Sequence, residues 1–396
     1  MIRLTLLKRW ACAAAAIVSA AALSSCSASE ESIPVGRDIG EPGDLVSVEP
    51  LERDGGGGVG LTAYRLIYRT SSIQGPEAEP VEVSGLLLVP DEIASDAVTS
   101  YQHSSAVSRE DVPTVAGTPH REAAQQLARS GRVVVAADYL GLGASEGLHP
   151  WLDADTEASA AADLLLALPD ALAELDLAAP TKVDLVGFSQ GAHATMALAR
   201  RLGSGPSAFD VRSIIGIGGP YRLDAVDVPA LVSGESDPMV RSLALARLVD
   251  TAAALGHDTA GMFASGVAEE VRDLFDGTHT DVEVVTSLPE DPRGLFSDEG
   301  WAALLDPEGV FGRWLAATST VCGGWTAEVP VTLLHARGDT SALPANSELC
   351  RDQLSASGVT VTLEDLGDLE HIPSGEAGTF RAIEILRQAD GAVSGP

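Results

Sequence analysis

Basic residues are scarce: 25 Lys and Arg stand against 57 Asp and Glu, a formal net charge of −32. A field of that sign repels phosphate backbones and anionic lipid headgroups, which disfavours nucleic acid as a partner and leaves no basic patch to hold a membrane. Aromatic residues are also few, 4% of the chain, so a core must rest on Ala, Leu and Val, as in an α/β protein whose helices meet through small side chains. Only four cysteines occur. Neither a His-Glu-x-x-His pattern nor clustered His and Cys spacing appears, so the sequence calls for no metal and no cofactor. No internal repeat is visible, which argues against a propeller. The one apolar run near the start, Trp10 to Leu23, is too short to span a bilayer.

What is present begins with that run. Arg3, Lys8 and Arg9 precede it without an acid, the layout of a secretory leader. Leu23-Ser24-Ser25-Cys26 follows and resembles the bacterial lipobox, which implies cleavage after residue 25, acylation of Cys26 and attachment to the extracytoplasmic face of the cell membrane. Two or more acyl chains anchor stably where one does not. An ordinary leader cut elsewhere is the alternative. Losing the three basic residues takes the charge from −32 to −35. Residues 26–50 are polar, acidic and rich in Gly and Pro, and are expected to form a tether. With Cys12 gone and Cys26 lipidated, Cys322 and Cys350 remain as an even pair in an oxidising compartment, predicted to form a disulfide that stabilises by about 3 kcal/mol. Two separate buried thiols are the other possibility.

With 45% hydrophobic residues, the chain can bury a sizeable core. Leu61 to Thr70 and Val81 to Val89 look like an early antiparallel pair. After them, strand patterns near 98–102, 132–138, 182–188, 211–217, 331–335 and 359–363 alternate with helical patterns near 119–130, 153–175, 190–202, 344–355 and 375–388. Such alternation predicts an α/β fold with a mostly parallel sheet covered on both faces, its core formed by residues 51–220 and 328–396. Residues 221–327 carry helical patterns and no convincing central strand. An insertion of that length points to a helical cap over a site, the alternative being a separate helical domain. A monomer is expected.

The chemistry concentrates in Gly187-Phe188-Ser189-Gln190-Gly191, which follows an apolar strand pattern and opens a helical one. That context fits a nucleophile elbow, where a serine on a cramped turn is flanked by glycines. A serine hydroxyl needs a base to take its proton. Of the histidines downstream, His257 and His279 fall in the expected cap, and His335 ends a strand just before a carboxylate. His371, in a loop after the last strand, is the candidate base. Asp339, beyond the next-to-last strand, is the candidate acid that orients it, with Asp365, Asp368 and Glu370 as rivals. The oxyanion of a tetrahedral intermediate needs backbone donors. Gln190 offers one amide; Ser105 or Ser104, after the strand ending at Gln102, offers the second. His103 is expected to be a structural hydrogen-bonder.

Taken together, Tyr101-Gln102-His103, Asp138-Tyr139-Leu140-Gly141-Leu142-Gly143, Gly187 to Gly191, Gly338-Asp339 and His371 resemble the α/β-hydrolase-fold lipases and esterases, closest to the secretory-lipase branch. The resemblance covers roughly residues 61–388. It implies the α/β-hydrolase fold, a small-molecule or lipid ester as substrate, a marker near the site in the Asp138 to Gly143 stretch, and a helical lid before the strand that carries the acid. An acyltransferase acting on an envelope alcohol or sugar, a prolyl-type peptidase and a catalytically inactive binding protein of the same fold are the competing readings.

Overall fold

The computed structural model describes residues 40–55, 59–72, 80–204 and 208–393. The leader, Cys26 and the first part of the expected tether lie outside them. One nine-stranded sheet runs through the chain in the order β1-β2-β3-β5-β4-β6-β7-β8-β9. Its strands are β1 (Leu45–Asp54), β2 (Leu61–Ser71), β3 (Pro80–Pro90), β4 (Ala97–Gln102), β5 (Val134–Ala137), β6 (Lys182–Phe188), β7 (Asp210–Ile217), β8 (Val331–His335) and β9 (Val361–Asp365). The first three form an antiparallel meander joined to the antiparallel partner β5, and from β5 to β9 every pairing is parallel. Every residue of β4 and β5 is buried, as parallel strands covered on both faces require.

The helices are α1 (Pro119–Ala128), α2 (Ala154–Glu174), α3 (Gln190–Gly203), α4 (Val228–Ser233), α5 (Pro238–Ala254), α6 (Val267–Leu274), α7 (Asp281–Ser287), α8 (Asp298–Leu305), α9 (Gly309–Thr318), α10 (Ala345–Ala356) and α11 (His371–Val393). Alternate strand residues feed two cores. Val183, Leu185 and Leu333 face α2, α3 and α10, whereas Val186, Phe188 and Leu334 face α1 and α11. Where α2 crosses α3 the buried side chains are largely alanines, among them Ala158, Ala161, Ala194 and Ala197, which lets the helices pack closely without aromatic filler. The one acid inside β6, Asp184, is fully buried and paired with Arg132 at 2.6 Å and with Arg212.

One expectation fails. Leu45–Asp54 is a strand, so the tether cannot extend to residue 50. Pro50 reads as a breaker, but β1 lies at the edge of the sheet, where a missing N–H is tolerated, and the register shifts between Pro50 and Glu52. A smaller difference concerns α11, which starts at His371, four residues before the apolar pattern at 375. Pro373 falls within its first turn, where no intrahelical N–H is needed.

Six helices, α4 to α9, fill the interval between β7 and β8. They have a core of their own, including Leu245, Phe275, Phe296, Phe311 and Leu315, and into it Val107, Trp151 and Leu152 of the sheet-bearing part insert. The insertion is therefore packed onto the loops at the C-terminal ends of the strands. Near its C-terminal end, Cys322 forms a disulfide with Cys350 that ties the insertion to α10 across a sequence separation of 28. By loop-closure entropy that bond stabilises by about 3 kcal/mol. Replacing both cysteines with serine is expected to lower the melting temperature by about 6 °C in a calorimetric scan; an unchanged midpoint would contradict the bond.

Candidate active site

Ser189 sits between β6 and α3 with φ 56° and ψ −122°, a left-handed conformation that a serine adopts only under constraint. The glycines on either side make the turn possible. A Cβ on Gly187 would collide with the carbonyl of Gly191, and one on Gly191 would collide with the carbonyl of Gln102 at the end of β4. The Ser189 amide donates to Ile217 O at 2.9 Å, tying the turn to the neighbouring strand.

Two other elements bring a base and an acid to this hydroxyl. His371, at the start of α11, faces Ser189 Oγ through Nε2 at 2.8 Å, and its Nδ1 donates to Asp339 Oδ2 at 2.7 Å. Asp339, beyond β8, is buried. Its other oxygen accepts the amides of Ser341 and Ala342 at 2.9 and 3.0 Å, so the carboxylate is held at both ends. Gly338 lets the loops after β8 and β9 touch, since a side chain there would press on Leu369 O. The rival carboxylates are elsewhere: Asp365 pairs with Arg337 at 2.8 Å, Asp368 lies 3.6 Å from the same guanidinium, and Glu370 is exposed. His335 is 3.6 Å from Asp339 but is committed to Ser347 and Ala342, and burial lowers its affinity for a proton.

Gln190 is the first residue of α3, so its N–H is among those a helix leaves without an intrahelical acceptor. Ser104 and Ser105 line the same cavity as Ser189 and His371. Ser105 Oγ accepts from Trp151 Nε1 at 2.8 Å, and Ser104 Oγ lies 3.4 Å from His120. His103 is fully buried, which holds its imidazole far below the usual pKa; Nδ1 donates to Ser104 O at 2.7 Å, and the ring stacks on Tyr139 at 4.4 Å. It supports the loop and does not reach Ser189 Oγ. Asp138 anchors this layer, accepting from Ser84 at 2.6 Å and from Thr114 at 2.5 Å, while burial pushes its carboxyl up to about 6.

A buried polar network behind the serine has no signature in the sequence. Gln190 Nε2 donates to Glu157 Oε1 and to His149 Nε2, both at 2.8 Å. Burial holds the His149 imidazole down at about 3, so it is neutral, with Nδ1 donating to Leu140 O. Glu157 also meets His193 Nδ1 at 2.8 Å, and His193 Nε2 donates to Thr318 O at the end of α9. Burial alone would lower His193, but the adjacent Glu157 carboxylate more than offsets it and holds the imidazole above its usual value. These partners are up to 125 residues apart in sequence, so no local spacing betrays them.

The cavity over Ser189 encloses about 440 Å³. Its walls are mainly apolar, with Leu223, Leu231, Leu243 and Val285 from the insertion and Trp151 and Phe188 from below. The arrangement places a hydroxyl beside an imidazole that a buried carboxylate orients, next to the first amide of α3, at the floor of an apolar chamber. The sequence matches the Alpha/beta hydrolase family over residues 112–381, which includes Ser189, Asp339 and His371. The chain belongs to the alpha/beta hydrolase family.

Solved structures share this α/β-hydrolase fold. A putative hydrolase from Legionella pneumophila superposes with a TM-score of 0.79 at 21% identity, covering 87% of this chain and 98% of that one. The rice cell wall degrading esterase LipA from Xanthomonas oryzae gives 0.72 at 22% identity over 88% and 98%. Candida antarctica lipase A gives 0.69 at 17% identity over 90% and 84%. No curated protein matches the chain in sequence.

Asp227 is an unexpected member of the hydrolase cavity. It accepts from Asn346 at 2.9 Å, its second oxygen is buried without a partner, and burial pushes the carboxyl up to about 7. The folded protein thus keeps a proton that the unfolded chain releases near pH 4, and stability falls as pH rises through that window, up to about 7. Asp227→Asn removes the titration. The variant is expected to melt above the wild type at pH 8 and level with it near pH 4; equal midpoints at pH 8 would show that the proton is not held.

Proposed function

We propose that this chain is a serine carboxylic-ester hydrolase of the lipase and esterase kind, within the secretory-lipase branch. The observation that carries the reading is the continuous hydrogen-bonded chain from Ser189 Oγ through His371 to Asp339. His371 Nε2 takes the hydroxyl proton as Oγ attacks the ester carbonyl, and Asp339 stabilises the imidazolium that forms. The developing oxyanion is met by the Gln190 amide and by that of Ser105 or Ser104. His371 then delivers its proton to the leaving alcohol, and an acyl-enzyme on Ser189 remains. Water, deprotonated by the same imidazole, attacks the acyl carbonyl and releases the acid. The apolar walls suit a hydrocarbon acyl or alcohol portion.

Ser189→Ala is expected to reduce turnover of p-nitrophenyl esters by at least about 10⁴-fold. Asp339→Asn should reduce it by about 10³- to 10⁴-fold, through loss of the correct imidazole tautomer. A serine-directed fluorophosphonate should label Ser189 of the wild type and not the alanine variant. No labelling and no turnover across acetyl to palmitoyl esters would favour a binding protein; ester exchange onto an added alcohol, outpacing hydrolysis, would make it an acyltransferase.

The lipobox-like Leu23 to Cys26 supports export and anchoring on the extracytoplasmic face. Mass spectrometry of the mature N-terminus is expected to find an acylated Cys26, and Cys26→Ala should release the protein into the medium. An unmodified terminus at another residue would mean an ordinary leader.

A further inference from the structure

The loop that follows β4 is held from below by His103, Asp138 and Trp151, and from above by the insertion. Arg247 of α5 donates through Nη2 to Ala106 O at 2.7 Å, and Asp281, the first residue of α7, accepts the Val107 amide at 3.3 Å. Ala106 O and Val107 N belong to one peptide group, so two helices of the insertion grip the same peptide by its two ends. Farther along, the Arg109 amide donates to Gly277 O and its guanidinium to Asp276 O, each at 2.9 Å. On the other side, the guanidinium of Arg247 lies 5.2 Å over the Trp151 ring, and Trp151 holds the side chain of Ser105.

Arg247 is a costly choice for this place. It is 4% exposed, packed between Trp151 and Phe275, and its Nη1 is buried without a hydrogen-bond partner. A leucine or methionine would fill the same apolar space without a desolvated charge, so cohesion of the insertion does not explain the cation. What the guanidinium adds is a directional hold on the residues next to Ser104 and Ser105.

We propose that the helical insertion is a working part of the oxyanion site, with Arg247 and Asp281 as positioning residues that fix the 106–107 peptide and thereby aim the amide of Ser105 or Ser104 at the reacting carbonyl. The inference rests on the ester-hydrolase reading of Ser189. A cap held in this way cannot swing off as a rigid lid without loosening the donors beneath it.

Arg247→Met and Asp281→Ala test this in the full mature chain, with kcat and KM measured on a p-nitrophenyl ester and hydrogen exchange followed in the peptide covering residues 103–111. Losing aim at one donor is expected to lower kcat about 10- to 100-fold for Arg247→Met and about 3- to 10-fold for Asp281→Ala, with KM within about threefold and affinity for a trifluoromethyl ketone falling in step with kcat. Exchange in residues 103–111 should rise. The double variant should lose little more than Arg247→Met alone, because both residues hold one peptide. Asp281→Asn, whose amide oxygen still accepts the Val107 N–H, should restore most of the kcat. A wild type without ester turnover sinks the reading of the site and this inference with it. An active wild type whose variants keep kcat, keep loop protection, or raise KM alone overturns only the inference; the last would make Arg247 a substrate contact.

Discussion

The first turn of α3 and the end of β4 approach so closely that no side chain fits between them. Gly191 lies against the carbonyl of Gln102, and Gly187 lies against Gly191, so the chain reverses from strand to helix within a volume only glycine leaves free. Ser189, caught at the apex, takes a backbone conformation that an isolated serine avoids. The same approach that strains the serine sets its hydroxyl above the strand ends. It also brings the loop after β4 beside the first amide of α3, so the Ser189 hydroxyl and that loop are set side by side by one steric condition.

Around that turn the polar groups are layered. In front, Asp339 comes from the loop beyond β8 and His371 from the start of α11. Behind, Glu157 and His149 clasp the side chain of Gln190, and His193 links Glu157 to Thr318 O at the end of α9. Thr318 in turn accepts the Ala154 amide and donates to Leu152 O, so the start of α2 and the end of α9 share one contact. The insertion is thus bound to the rest of the fold both behind the serine and along the loop after β4. Its apolar side chains complete the chamber, and its polar ones reach past the chamber into the supporting structure.

Sequence alone determined the elements whose physics is local. Alternating strands and helices read correctly because parallel strands buried on both faces must be continuously apolar, and because amphipathic helices repeat at their own period. Ser189 was legible because its crowding falls on residues two positions away, so the glycine requirement is written beside it. Asp339 and His371 could be narrowed by their places after the last two strands. The edge strand at Leu45–Asp54 escaped, since half-exposed residues and a tolerated proline give it no apolar run, and the true start of α11 was hidden by Pro373.

Tertiary structure decided what depends on distance. Which carboxylate faces His371 follows from the meeting of two loops at Gly338, whereas Asp365 and Asp368, closer in sequence, turn to Arg337. The grip of Glu157 on Gln190 and of Arg247 on Ala106 joins residues 33 and 141 positions apart. A buried polar group must find its partner in three dimensions, and the identity of that partner leaves no periodic trace along the chain.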